Sequence, residues 1–279
     1  MRFSSFYGVD FSGARLAGEN IWIARIIPRS RGFELVELSR LRQLCGTAER
    51  DAALAYLVEL IRSSERALWG LDFPFGLPIE VVDAGATWAD QVRMVGGWKG
   101  DAYDLGTECV RRARARGGAM HIRRITDVEA RTPFDCYHYR IIYQTFHGMR
   151  DVLGPLMRAA GTAILPFQYG KLRTAKRCVV EACPGSTLKR LGLPHNNYKQ
   201  PQGGSLTRKR LRTRREIVDG LHRHVLIPPD RHRIMMRDAG ADALDAVIAA
   251  IGTAQGWSNA DHSHIASHRR YVREGRLYV

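Results

Sequence analysis

The sequence predicts an α/β protein, a mixed sheet of five strands with helices packed on it. Three observations lead there. The element order is strand, strand, strand, helix, strand and then, after a long interruption, strand and helix, which is neither pure parallel alternation nor an antiparallel sandwich. Two apolar runs end on a carboxylate followed by turn-forming residues, Asp10 in YGVDFSGA and Asp72 in LWGLDFPFG. In the late apolar stretch AGADALDAVIAAIGTA, Asp242 and Asp245 are the only charged groups.

The elements follow in order. Residues 5–10 read as the first strand, and 20–27 (NIWIARII) and 33–38 (FELVEL) as the second and third, joined by RSRG into a meander. Thr47 precedes a turn holding Glu49 and Asp51. Leu54, Leu57, Val58 and Ile61 then recur at i, i+3, i+4 and i+7, so 48–63 is an amphipathic helix. A fourth strand at 67–72, ALWGLD, stops at the turn signals of FPFGLP. From about 79 to 170, Gly-rich pieces surround helices at 104–116 and 135–159, the second kinked at Gly154-Pro155; this block reads as a mostly helical insertion covering one sheet edge. RCVVEA at 177–182 is the fifth strand, and CPGSTLKRLG supplies a turn and short helix. A basic segment spans about 199–225, with YKQPQGG as loop and LTRKRLRTRREIVDGLHRHV as helix. The last long helix is 239–254, and EGRLYV closes the chain as a small strand. Residues 1–279 read as one domain, with no internal repeat.

Composition bounds the function. The 279 residues, 45% of them apolar, suffice for one large core. Five cysteines, an odd number without C-x-x-C spacing, suit reduced thiols in the cytoplasm. The start lacks signal-peptide organisation. The longest apolar run, 243–254, contains Asp245 and is far shorter than the roughly 20 residues a membrane span needs, so no membrane partner is expected. A formal charge of +15 favours a polyanionic partner such as nucleic acid. Six lysines beside 37 arginines is also a skew that codon usage alone can produce. Monomer and homodimer are both compatible with the sequence.

The carboxylates carry the chemistry. Asp10 ends the first strand, Asp72 ends the fourth and Glu181 lies late in the fifth. If those strands are parallel neighbours, as right-handed crossovers would make them, the three acids gather at one edge. Asp242 and Asp245, three apart, share a face of the last helix. Each has a plainer explanation: turn capping for Asp10 and Asp72, the helix dipole for Asp242 with Asp238 as cap, and an arginine partner for Glu181. Together they suggest a cation site, because clustered acids in apolar surroundings are costly to desolvate without a compensating charge. Two Mg²⁺ or Mn²⁺ ions about 3.5–4 Å apart would suit in-line phosphoryl displacement. Asp10 would bridge them, Asp72 and Asp245 would complete them, and Asp242 or Glu181 would hold a further ligand or a water.

GVDFSGA, GLDFPFGLP, VVEACPGS and DALDAVIAAIGTA resemble, in order and character, the domain of unknown function 429 family, regarded as predicted nucleases of the ribonuclease H-like superfamily. The similarity runs over most of the chain. It implies a ribonuclease H-like mixed five-stranded sheet in the order 3-2-1-4-5, a Mg²⁺ or Mn²⁺ site and, by position, Asp10, Asp72, Asp242 and Asp245 as its acids. Glu181 departs from the pattern, since a fifth-strand acid is not general in the superfamily.

Phosphate contacts are expected from Arg208, Lys209, Arg210, Arg212, Arg214 and Arg215 on the basic helix, with Lys199 before it and Arg123 and Arg124 in HIRRITD. A solvated helix in an arginine-rich chain explains the same run. His262, His264 and His268 near the end read as surface histidines rather than a zinc site, since a fourth ligand is not evident. The leading expectation is a metal-dependent nuclease acting on DNA or RNA. Its rivals are an actin-like phosphotransferase, with VDFSGA and QGGS as phosphate loops, and a nucleic-acid-binding protein without catalysis.

Overall fold

The strand Ser5–Asp10 (β1) lies at the centre of a mixed sheet because every second residue can be buried on each face. The structure is a computed structural model that describes residues 2–200 and 204–279. β1 is followed by β2 (Trp22–Pro28), β3 (Phe33–Arg40), β4 (Ala67–Leu71), β5 (Thr162–Ile164), β6 (Arg177–Glu181) and β7 (Val225–Leu226). Their order across the sheet is β5-β6-β4-β1-β2-β3-β7. β1, β2 and β3 form the antiparallel meander, while the β1–β4, β4–β6, β5–β6 and β3–β7 pairs are parallel.

Seven strands replace the five expected. The two additions sit at the sheet edges and are three and two residues long, too short to show a period of two in the sequence. EGRLYV makes a single bridge, Leu277 beside Glu181, rather than a strand.

The faces of the sheet are covered by different parts of the chain. Val9, Ile23, Trp69, Leu71 and Val179 share one core with the helix Arg50–Ser63 and with insertion residues such as Val92, Leu105 and Phe146. Phe6, Ala24, Leu68 and Val180 share the other with the final helix, Asp242–Asn259. The insertion therefore covers a face as well as supplying the edge strand β5. Its last helix begins at Ile142, not at 135, and passes through a π-turn, Gly148–Leu153, before ending at Met157. The proline signal explains the irregularity, because Pro155 has no N–H to donate and its ring crowds the carbonyl of Asp151, inside the π-turn.

Close backbone approach sets the position of the final helix. A Cβ on Gly8 would lie 2.1 Å from the carbonyl oxygen of Ala246 and 2.2 Å from the nitrogen of Ala250, so the helix rests directly on β1. A Cβ on Gly70 of β4 would lie 1.8 Å from Thr253 Oγ1. The helix is buried almost all round and lines this contact with small side chains, Ala246, Ala249 and Ala250. Its start is fixed by Asp238, whose Oδ2 accepts the N–H of Ala243 at 3.0 Å.

The basic helix spans Arg208–Leu221 and is capped by Thr207, whose hydroxyl accepts the N–H of Arg210. Of the QGGS phosphate loop suggested for a phosphotransferase, residues 202 and 203 lie outside the described residues.

Gly8→Val tests the close contact. The added side chain meets backbone that cannot rotate away, so a loss of about 3 kcal/mol in urea unfolding is expected. A variant as stable as the parent would show that helix and strand do not touch.

Candidate functional site

Side-chain parity sorts the predicted acids. Phe6, Gly8 and Asp10 follow one another at intervals of two, as do Leu68, Gly70 and Asp72, so both aspartates emerge on the side of the final helix. That helix turns Asp242 and Asp245 toward the same end of the sheet. A cavity of about 870 Å³ at this end is lined by Asp10, Asp72, Glu181, Asp242 and Asp245 together with Lys199.

Three of the four aspartates have raised pKa values. Burial pushes the Asp10 carboxyl well above its usual range, reinforced by Asp245, Asp242 and Asp72 and opposed by Lys199. Burial, with Asp245 adding to it, pushes Asp72 up to about 8. Burial and then Asp238 raise Asp242 to about 6. Asp245 is 1% exposed, accepts the hydroxyl of Tyr198 at 2.9 Å and is ion-paired with the Lys199 ammonium. Desolvation works against the charge of Lys199, but Asp245 and then Tyr198 and Asp10 outweigh it, so the ammonium is held well above its ordinary pKa.

Glu181 lies in the same cavity wall but belongs to a different interaction. It is in register with Leu71 and follows Val179 by two residues, so it emerges on the insertion side of the sheet. There its Oε1 and Oε2 accept from the Arg124 guanidinium at 2.5 and 2.8 Å, and Oε2 also accepts the N–H of Phe75 at 3.0 Å. Arg124 in turn donates to both oxygens of Asp127 at 2.8 and 2.9 Å. All three side chains are buried. Glu181 is thus a satisfied member of a buried ion-pair triad, which corrects its assignment as a metal ligand.

The basic residues divide in the same way. Arg124 is 1% exposed within that triad and cannot reach a phosphate, and Arg123 is exposed, donating to the carbonyl of Pro133. Arg214 is fully buried and donates to the carbonyls of Tyr198, Met235, Met236, Asp238 and Ala239, tying the basic helix to the start of the final helix. Its phosphate-binding assignment is corrected too, because it sits on the apolar stripe with Ile217, Val218 and Leu221. Lys199 is ion-paired with Asp245, and its partly exposed side chain also lines the cavity. Arg208, Lys209, Arg212 and Arg215 are exposed, while Arg210 donates to Gln200 and lines the cavity. His262 lies within hydrogen-bonding distance of Tyr169 Oη and the Trp257 carbonyl, away from any zinc-like grouping.

Among the described residues no group of three or more His, Cys, Asp or Glu side chains is close enough to hold one ion as it stands. The donor chemistry nevertheless fits a hard divalent cation: four carboxylates converge on one cavity, and burial and mutual repulsion have raised the pKa of three of them. Holding an ion on Asp245 requires Lys199 to move off that carboxylate. Tyr198 and Lys199 partner Asp245 across 47 and 46 residues of sequence, a pairing that only the tertiary structure brings about.

No protein-family model matches the chain, and no curated protein and no solved structure matches it. The family resemblance therefore rests on the quoted motifs.

Asp72 makes stability depend on pH. With a folded pKa of about 8 against a reference of 3.8, the folded chain keeps a proton that the unfolded chain has lost between those values, so stability falls as pH rises through that window. In metal-free buffer Asp72→Asn should flatten that fall and raise stability at pH 8 by on the order of 2 kcal/mol, after discounting for water in the cavity. A variant that keeps the parent's slope would place Asp72 outside the cluster.

Proposed function

We propose that the chain is a divalent-metal-dependent nuclease of ribonuclease H-like type that hydrolyses phosphodiester bonds of DNA or RNA. The observation that carries this reading is the convergence of Asp10, Asp72, Asp242 and Asp245 on one cavity that Arg210 of the basic helix also lines. Support also comes from the raised pKa values of Asp10, Asp72 and Asp242, since a carboxylate cluster left short of positive charge is the arrangement that a divalent cation relieves.

In this reading Asp10, Asp72 and Asp245 hold Mg²⁺ or Mn²⁺, and Asp242 orients a water or completes the shell. When bound, such ions lower the pKa of water and neutralise charge on the phosphate and the leaving oxygen. The Tyr198 hydroxyl fixes Asp245. Lys199, once released from Asp245, is placed to meet a phosphate oxygen. Arg210 and the exposed face of the basic helix hold the flanking backbone without reading its sequence.

A second reading is favoured by one observation, the Lys199–Asp245 pair, which supplies within the chain a positive charge that a metal would otherwise bring. It is a nucleic-acid-binding protein that binds without metal and does not cleave.

One experiment separates them. Labelled single-stranded, duplex and RNA substrates are incubated with Mg²⁺ or Mn²⁺ and the wild-type chain or Asp10→Asn. Cleavage that needs the ion and falls at least about 100-fold in the variant, with folding intact, is the expected outcome. Metal-independent binding without cleavage would favour the second reading, and equal cleavage by Asp10→Asn would refute the assignment.

A further inference from the structure

The insertion carries a cluster that the acid site does not use. Between Arg131 and Tyr143 the chain turns back on itself around Asp135, which is buried, accepts the N–H of Tyr137 at 3.1 Å and pairs with His121 Nδ1 at 2.8 Å. Outside this anchor the side chains form a run of flat groups. Phe134 stacks on His138 with ring centroids 4.4 Å apart, and His138 lies 4.5 Å from Tyr139. The Arg140 guanidinium sits 5.6 Å from both the Phe134 and Tyr139 centroids.

Part of this run borders the acid cavity and part is open to solvent. Tyr139 is 63% exposed, the most exposed large hydrophobic side chain among the described residues, and Tyr143 is exposed as well. Phe134 and Arg140 line the cavity that holds Asp10 and Asp72. The backbone of Tyr143 is packed against Gly13, where a Cβ would lie 2.2 Å from the Tyr143 carbonyl oxygen, so this rim is fixed to the loop leaving β1. Gln144 strengthens the junction by donating to the Phe11 carbonyl at 2.6 Å. Burial lowers the His138 pKa, so its ring is neutral at pH 7 and offers a face rather than a charge.

Arg140 also donates to the Tyr139 hydroxyl at 3.1 Å, which holds the exposed ring and the guanidinium plane in place as flat surfaces. Every base has a π-face that stacks on aromatic rings and guanidinium planes, and bases in a duplex are not free to do so. Arg210, which lines the same cavity, adds a positive charge for a backbone phosphate. We propose that Phe134, His138, Tyr139, Arg140 and Tyr143 form a stacking rim that selects single-stranded nucleic acid over duplex and feeds it to the acid cavity.

This inference rests on the proposed function only for the identity of the polymer; its test needs neither metal nor cleavage. Fluorescence anisotropy is measured in EDTA at fixed salt with labelled 12-nucleotide single-stranded DNA, single-stranded RNA and the matching duplex. The expected result is at least about tenfold tighter binding of a single strand, DNA or RNA, than of duplex. Tyr139→Ala and Tyr143→Ala should each weaken single-strand binding about tenfold and leave duplex binding unchanged, with Tyr139→Phe restoring it. A double variant of exposed Arg208 and Arg212 to Gln should instead weaken both polymers and reduce the salt dependence. Equal affinity for duplex and single strand, unchanged binding by both tyrosine variants, or binding of neither polymer would overturn the proposal. Stacking without any cleavage in metal would leave it standing while the catalytic reading failed.

Discussion

The bare contact between the final helix and β1 is the constraint on which the site depends. Gly8 and Gly70 have no side chains to hold the helix off, and Ala246, Ala249 and Ala250 present almost none in return. The helix can therefore lie close enough for Asp242 and Asp245, on its first turn, to stand over the strand ends that carry Asp10 and Asp72. A helix held off by ordinary Val or Leu packing would sit several ångströms further from the sheet, and the acids would no longer share a cavity. The same geometry explains why a helix buried on nearly all sides keeps two carboxylates: both are confined to the one end that reaches the cavity.

Charge in this end of the molecule is managed in two ways. On the insertion face, Arg124 binds Glu181 and Asp127 through paired hydrogen bonds, and the triad is closed, buried and complete. Such an arrangement holds β6 to the Ile125–Glu129 helix and has no capacity left for a ligand. On the other face Asp245 is paired with Tyr198 and Lys199, while burial and neighbouring carboxylates raise the pKa values of Asp10, Asp72 and Asp242. Perturbed acids in a cavity mark a candidate functional site. The stacking rim lies on the boundary between these faces, where the insertion meets the loop after β1.

Much of this was legible in the sequence, and the parts that were not have identifiable causes. The meander, the Arg50–Ser63 helix and the final helix follow from periodicity and turn signals, and Asp10 and Asp72 were visible because each ends an apolar run. Glu181 lies at a strand end as Asp10 and Asp72 do, but strand-end position does not carry parity: one residue's difference along a strand moves a side chain to the opposite face. Arg214 was misread because a long run of arginines hides which one falls on the apolar stripe with Ile217 and Leu221. β5 and β7 were invisible because strands of two or three residues carry no period. The stacking rim was missed because its residues lie in an irregular segment whose order only the tertiary structure supplies.

The central claim is that these carboxylates form one cation-binding group with Lys199 as its stand-in charge. Crystals grown with Mn²⁺ and measured at the manganese absorption edge test it most directly. The account predicts anomalous peaks among Asp10, Asp72 and Asp245, with the Lys199 ammonium displaced from Asp245. Density showing no manganese there, with Lys199 still seated on Asp245 at saturating Mn²⁺, would contradict it.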